Sequence, residues 1–321
     1  MKAFALLLLA LAACPKSPKS GDEKKAIEQA IGSGDAGRLL PGDAAATATL
    51  PPAPPLPEVP FGLPPVPAGV LDGVTPEAVA MGSALFHDPR LASDGKATCA
   101  TCHDPADHFN GVTPRARQAT DPIGKQMPPQ LENLAWNPQA IAALPAHVAD
   151  AMHQDLATTA PKLAAAYQAH IARVGGTPDE AVKKALIAFV ITRYDGDSAW
   201  DHEERTAKPN NDAAAGYKIF NGKGRCASCH TPPLYTDFRK HDLGFTIIAA
   251  TRSLRGASKR NSFFLAESAI TLENVLDFYM EDHPKTELHK ITLTGPEQLQ
   301  LLTFLDALSG DVPTTILQPL P

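Results

Sequence analysis

The chain has 321 residues, 20% of them charged, and a formal net charge of −6. So mild an acidic balance leaves no basic footprint for a nucleic-acid backbone and excludes nucleic acid as a partner. The length allows two domains once a leader is set aside.

The first element in chain order is a leader. Lys2 precedes an apolar run, Ala3 to Ala13, which has the shape of a secretory signal and is too short to span a bilayer. The junction Leu11-Ala12-Ala13-Cys14 resembles a bacterial lipobox. Residues 1–13 are therefore expected to be a lipoprotein-type signal peptide and Cys14 the lipidated first residue. Ordinary cleavage near Ala13 would leave Cys14 incidental. Either way the chain is exported to the periplasmic side. Its one membrane contact would be the lipid anchor, through acyl chains contributing about 0.8 kcal/mol per buried methylene. Residues 14–60 are rich in Pro, Ala and charge and poor in large apolar side chains. They cannot bury enough surface to offset chain entropy and read as a disordered tether.

The folded part opens with Gly82-Ser-Ala-Leu-Phe86 and then Cys99-Ala-Thr-Cys102-His103. A second copy follows, Gly216-Tyr-Lys-Ile-Phe220 and then Cys226-Ala-Ser-Cys229-His230. Cys-X-X-Cys-His is the attachment signature of a c-type haem: the thiols add to the vinyl groups and the His ligates the iron. A zinc ribbon needs its Cys pairs roughly 15–20 residues apart, whereas Cys102 and Cys226 are far apart along the chain. A redox dithiol does not require His after both pairs. Each copy closes with a helix. Thr177-Pro178-Asp179-Glu180 and Thr294-Gly295-Pro296-Glu297 are capping boxes. Val182, Leu186, Phe189 and Val190 follow the first at helical spacing; Leu301, Phe304, Leu305 and Leu308 follow the second. Period-2 alternation is scarce. The expected fold is mainly α: two cytochrome c-like haem domains in tandem, residues 61–205 and 206–321, after the tether.

These residues resemble the bacterial di-haem cytochrome c peroxidase and MauG family over about residues 61–311. The resemblance rests on Leu85 to Gly95 running into the first haem motif. After the second motif it rests on Pro233 to Asp237, His241 to Gly244, Ser253-Leu254-Arg255 and Thr271 to Tyr279. It implies two covalent haems and a calcium ion. Hydrogen peroxide would react at the N-terminal haem, held by Cys99, Cys102 and His103. Electrons from a small cytochrome c or copper protein would arrive at the C-terminal haem, held by Cys226, Cys229 and His230. The distal ligand of that second haem falls at Tyr279 or Met280, and Asn133 matches the calcium-binding Asn. His241, Arg90 and Arg255 fall in matching blocks as partners for haem propionates. The resemblance leaves room for a homodimer.

The chain also departs from the family. The block that supplies a bridging tryptophan is missing, with Trp136 close by as a substitute or as core packing. No Glu stands between Glu132 and Glu180 to act as acid/base for peroxide; His147 and His153 lie in that stretch as alternatives. No His stands about sixteen residues beyond His103 as a displaceable ligand, and His108 is close to the motif. Three functions follow from this reading. The chain is a peroxidase, a MauG-like oxidase using high-valent haem on another protein, or a two-haem electron conduit without enzymatic activity.

Overall fold

A computed structural model describes residues 52–92, 95–105, 108–109, 130–152, 161–206, 211–245, 248, 250–260, 263–264 and 271–310. The leader 1–13, Cys14 and most of the expected tether lie outside these residues. Residues 52–60, its last part, run without helix or strand. Among the described residues no helix is long and apolar enough to cross a membrane.

The described part is helical. Its helices are α1 (Pro76–Phe86), α2 (Cys99–Cys102), α3 (Pro138–Met152), α4 (Pro161–Ala166) and α5 (Gln168–Val174). They continue with α6 (Pro178–Ile191), α7 (Ala199–Thr206), α8 (Asn211–Asn221), α9 (Leu272–Met280) and α10 (Gly295–Ala307). The described β structure is one isolated antiparallel bridge between Lys240 and Ala250. The sequence signals set the helix starts. Thr75 caps α1, its Oγ1 accepting from the Ala78 amide at 3.1 Å, with Pro76 at the first helical position. Both expected capping boxes form. Glu180 Oε2 accepts from the Thr177 amide at 2.8 Å, and Glu297 Oε2 from the Thr294 amide at 2.7 Å. Each satisfies helix-end donors that would otherwise lack partners.

The two halves repeat one packing unit. α1 lies along α6, and α8 lies along α10. Each crossing holds a glycine because the backbones approach too closely for a side chain. A Cβ on Gly82 would strike the Ala185 carbonyl oxygen and lie 2.7 Å from Phe189 Cβ. A Cβ on Gly216 would strike the Gln300 carbonyl oxygen and lie 2.7 Å from Phe304 Cβ. Four residues after each glycine an aromatic ring meets the closing helix. Phe86 sits 5.1 Å from Phe189 and 5.7 Å from Phe109 between ring centroids. Phe220 sits 5.2 Å from Phe304 and 5.8 Å from Tyr235.

The first core gathers around Met81, Leu85, Phe86, Leu163 and Phe189, the second around Phe220, Tyr235, Leu301 and Phe304. The expected division between residues 205 and 206 falls at the end of α7, and Trp200 on α7 packs with the second core. A smaller cluster of Ala135, Trp136 and Tyr194 takes in Leu63 and Val66 from the first half and Leu234 and Phe238 from the second.

Gly216→Ala is expected to lower unfolding free energy by about 1–3 kcal/mol through overpacking. Gly295→Ala, where an added Cβ meets nothing within 4 Å, should be near neutral. Thermal denaturation checks both, and equal midpoints would contradict the close crossing.

Candidate functional site

The two Cys-X-X-Cys-His motifs share one local architecture. Cys99 opens α2, which Thr98 and Thr101 cap reciprocally. Cys226 opens a short turn, Cys226–Ser228, after Arg225 in a left-handed conformation. In each motif the His ring is oriented by a main-chain carbonyl. His103 Nδ1 lies 3.3 Å from the Phe109 carbonyl oxygen, and His230 Nδ1 lies 3.1 Å from that of Tyr235. Phe109 and Tyr235 both take positive φ, 52° and 53°. They are also the aromatics that pack on Phe86 and Phe220. With Nδ1 donating to a carbonyl, Nε2 carries the lone pair that a metal ligand needs. Burial pushes the His230 pKa down to about 4, so its imidazole is neutral at physiological pH.

The thiols have the opposite of a reactive dithiol's character. Burial pushes Cys99 up to about 11 and Cys226 up to about 12, and raises Cys229 as well. A redox dithiol relies on a lowered value. Cys99 packs against the first core and Cys226 against the second, as thiols lining an apolar slot do. No disulfide joins the described cysteines.

Beside the second motif lies a cavity of about 700 Å³, with Cys226, Cys229, His230, Leu276 and Tyr279 in its wall. That volume lies within the roughly 300–1,000 Å³ of buried cofactor sites, and the donor set suits a covalently held haem. The cavity separates two neighbours in sequence. Tyr279 faces into it, and burial raises its phenol above the ordinary value. Met280 lies against α10, where its Sδ accepts from Gln298 Nε2 at 3.6 Å. Arg252 and Arg260 also line the cavity, and burial lowers Arg252 to about 10. Beside the first motif, residues 106–107 and 110–129 lie outside the described residues.

The expected propionate partners are otherwise engaged. Arg255 is fully buried and forks onto Asp201, with both contacts at 2.8 Å, while its Nε donates to the Pro233 carbonyl at 2.9 Å. This corrects the propionate reading: the guanidinium is spent inside the core. His241 borders the cavity, but its ring bridges Asp237 at 2.8 Å and Glu287 at 2.7 Å. Arg90 forks onto Asp88 at 2.9 and 2.7 Å.

Of the two acid/base candidates, His147 lies on the exposed side of α3 while Leu144 and Val148 face the core. Helical spacing therefore turns it outward, away from any buried site. His153 lies outside the described residues. Asn133 is buried with φ 58°, and its amide is used at both ends. Nδ2 donates to the Asp195 carbonyl, and Oδ1 accepts from the Asp195 amide, each at 3.0 Å. That arrangement fits a staple between two segments better than a calcium ligand. Trp136 is packed, its Nε1 donating to the Pro65 carbonyl at 3.1 Å and its ring 5.5 Å from Tyr194.

The structure adds a group that sequence reading missed. His108, Glu132 and Asp195 meet in the interior with ligand atoms within 4.8 Å of one another. The available signal was Glu132 itself, a carboxylate set between Leu131 and Leu134 in an apolar stretch.

Residues 76–208 match the sequence model of the family described as di-haem cytochrome c peroxidase. The methylamine utilization protein MauG of Methylorubrum extorquens is 28% identical over 302 residues, covering 80% of this chain and 85% of that protein. The cytochrome-c peroxidase IdrP2 of Denitromonas iodatirespirans is 26% identical over 318 residues, covering 76% of this chain and 85% of that protein. Among solved structures, a MauG-like protein associated with microbial copper homeostasis superposes with a TM-score of 0.63 at 20% identity, covering 83% of this chain and 96% of that one. The diheme peroxidase BthA of Burkholderia thailandensis gives a TM-score of 0.53 at 18% identity, covering 85% of this chain and 98% of that one. These two likenesses show the fold: tandem, mainly helical haem domains.

The Arg255–Asp201 pair makes stability pH-dependent. Burial alone would raise the Asp201 pKa, but the Arg255 fork outweighs it and the net value is lowered. A depressed folded pKa contributes stability above the ordinary carboxylate value, lost as pH falls through the folded value. Asp201→Asn is expected to cost about 3–5 kcal/mol at pH 7, because it strands a buried guanidinium. It should also flatten the loss of stability below about pH 4. Urea unfolding from pH 7 to pH 3 measures both, and wild-type behaviour of the variant would contradict the pairing.

Proposed function

Because this chain belongs to the di-haem cytochrome c peroxidase family, we propose that it is an oxidoreductase with two covalent c-type haems that reduces hydrogen peroxide to water. The electrons come from a small cytochrome c or copper protein and are received at the C-terminal haem, for use at the N-terminal one. The protein works on the periplasmic side, held to a membrane surface by a lipid on Cys14. The observation that carries this reading is the duplicated His–carbonyl geometry, His103 on Phe109 and His230 on Tyr235.

When bound, haem iron supplies one-electron redox chemistry and peroxide activation. The chain's own residues supply the rest. Cys99, Cys102, Cys226 and Cys229 fix the position of each group. The Phe109 and Tyr235 carbonyls hold His103 and His230 in one ring orientation, which raises the basicity of the ligand nitrogen. Arg252 and Arg260 place positive charge at the wall of the second cavity, where the carboxylates of a bound haem would be paired. Tyr279, in the wall of that cavity, would supply the second protein ligand to a bound haem iron there, whereas Met280 lies against α10 with its Sδ accepting from Gln298. Trp136 sits in the cluster that draws on both halves and is the aromatic placed to couple them.

Calcium at Asn133 gains no support from the geometry, since Asp195 occupies both ends of the amide. Nor is an acid/base role supported for His147.

A second reading shares the same machinery. Tyr279 in the cavity favours a MauG-like oxidase acting on another protein, because an anionic oxygen ligand favours more oxidised iron. Mixing reduced holoprotein with hydrogen peroxide in a stopped-flow absorbance experiment tests both readings. Fast oxidation of both haems is expected, with turnover on adding reduced cytochrome c for the peroxidase. Unchanged spectra would sink both and leave an electron conduit.

Tyr279→Phe is expected to change the Soret and visible bands of one haem only, while Met280→Leu leaves them as in the wild type. The reverse pattern would assign the ligand to Met280.

A further inference from the structure

A set of titratable groups between the two cores has no part in the haem reading. His108 follows the first motif, Glu132 precedes the Leu134–Trp136 turn, and Asp195 follows α6. The Glu132 and Asp195 side chains are 0% exposed, and that of His108 is 11% exposed. His108 Nδ1 lies 3.2 Å from Glu132 Oε1 and 3.7 Å from Asp195 Oδ2. Charge-assisted hydrogen bonds run about 2.7–2.9 Å, and neither of these oxygens accepts a hydrogen bond from a described residue.

The second oxygen of each carboxylate is already anchored. Gln130 Nε2 donates to Glu132 Oε2 at 3.3 Å, and the Gly310 amide donates to Asp195 Oδ1 at 3.0 Å. Each carboxylate is thus held with one oxygen turned toward the same imidazole nitrogen. Donors about 2.0–2.2 Å from a shared ion stand about 3.0–3.6 Å apart at octahedral to tetrahedral angles. The observed separations are close to that spacing.

The space beside the donors is kept clear of side chain. Gly256 has φ +68°, and a Cβ there would lie 2.7 Å from Asp195 Oδ2 and 2.8 Å from His108 Nδ1. The three groups also shift one another's protonation. Burial and the neighbouring Asp195 carboxylate together lift the Glu132 carboxyl to about 7, against the opposing pull of His108. Burial opposes the His108 cation, yet Asp195 and Glu132 raise its pKa to about 9. Arg260 favours the Glu132 anion, but its Nη2 donates to the carbonyls of Ser253 and Arg255.

We propose that His108 Nδ1, Glu132 Oε1 and Asp195 Oδ2 bind one divalent first-row transition-metal ion of the zinc or manganese class, distinct from the haem irons. One imidazole with two carboxylates suits that class. Calcium takes six to eight oxygens. The ion ties the turn after the first haem motif to the connection after α6, beneath the Gly256 backbone of the second half. The assignment stands independently of the peroxidase reading.

The test uses full-length holoprotein, dialysed against EDTA and then incubated separately with Zn²⁺, Mn²⁺ or Ca²⁺ and desalted. Elemental analysis counts the metals, and a haem assay counts the haem iron. The expected result is one Zn²⁺ or Mn²⁺ per chain beyond unchanged haem iron, no retained Ca²⁺, and a raised thermal midpoint. Glu132→Gln and His108→Asn should retain their haem but lose the extra ion and the shift. If the wild type retains well under one ion per chain, the proposal is overturned whatever the variants do. It is overturned equally if folded variants keep the ion.

Discussion

The close helix crossing at Gly82 and Gly216 is the constraint on which the rest depends. With no Cβ in the way, α1 and α8 press onto the backbones of α6 and α10 at Ala185 and Gln300. That proximity puts Phe86 and Phe220 against Phe189 and Phe304, and the same rings pack on Phe109 and Tyr235. Phe109 and Tyr235 are held at positive φ, where their carbonyls reach the Nδ1 atoms of His103 and His230. The orientation of each haem-ligand His is thus set by a packing contact one helix away. A non-glycine residue at positive φ costs free energy that only a well-determined surrounding can offset. The aromatic clusters supply it.

The two halves are joined differently, through buried polar groups. Arg255 reaches from the second half to Asp201 and to the Gly62 carbonyl, and Gly310 donates to Asp195. Within the first half, Asn133 holds Asp195 in position through both of its backbone groups. Buried charges of this kind stabilise only when fully paired. They fix a single arrangement of the two halves, which a purely apolar seam would specify less sharply. Trp136 and Tyr194 fill the space between, so the seam has apolar body as well as polar fixings.

What the sequence disclosed follows from separation along the chain. The haem motifs, the capping boxes at Thr177 and Thr294, and the paired Gly-to-Phe segments are local patterns, and each appears where its residues predict. The equivalence of Ala185–Phe189 with Gln300–Phe304 was half visible, as two apolar helix faces after two caps. The seam was not visible. Its pairs, such as Asp201–Arg255 and Asp195–Gly310, join residues many tens of positions apart, and nothing local marks them. Arg255 was misread for that reason: an arginine in a haem-family motif suggests a propionate, but a carboxylate on α7 claims it. Tyr279 and Met280 are adjacent, so only the direction each takes from α9 separates them.

Intact-mass spectrometry of the denatured holoprotein, after acidic acetone has removed any dissociable haem, tests the central claim most directly. Two haem masses retained on one chain, falling to one when Cys226 and Cys229 are replaced by Ser, is the result that equivalent attachment sites require. Retention of a single haem in the wild type, or loss of both to the solvent, would contradict the duplicated site on which the account rests.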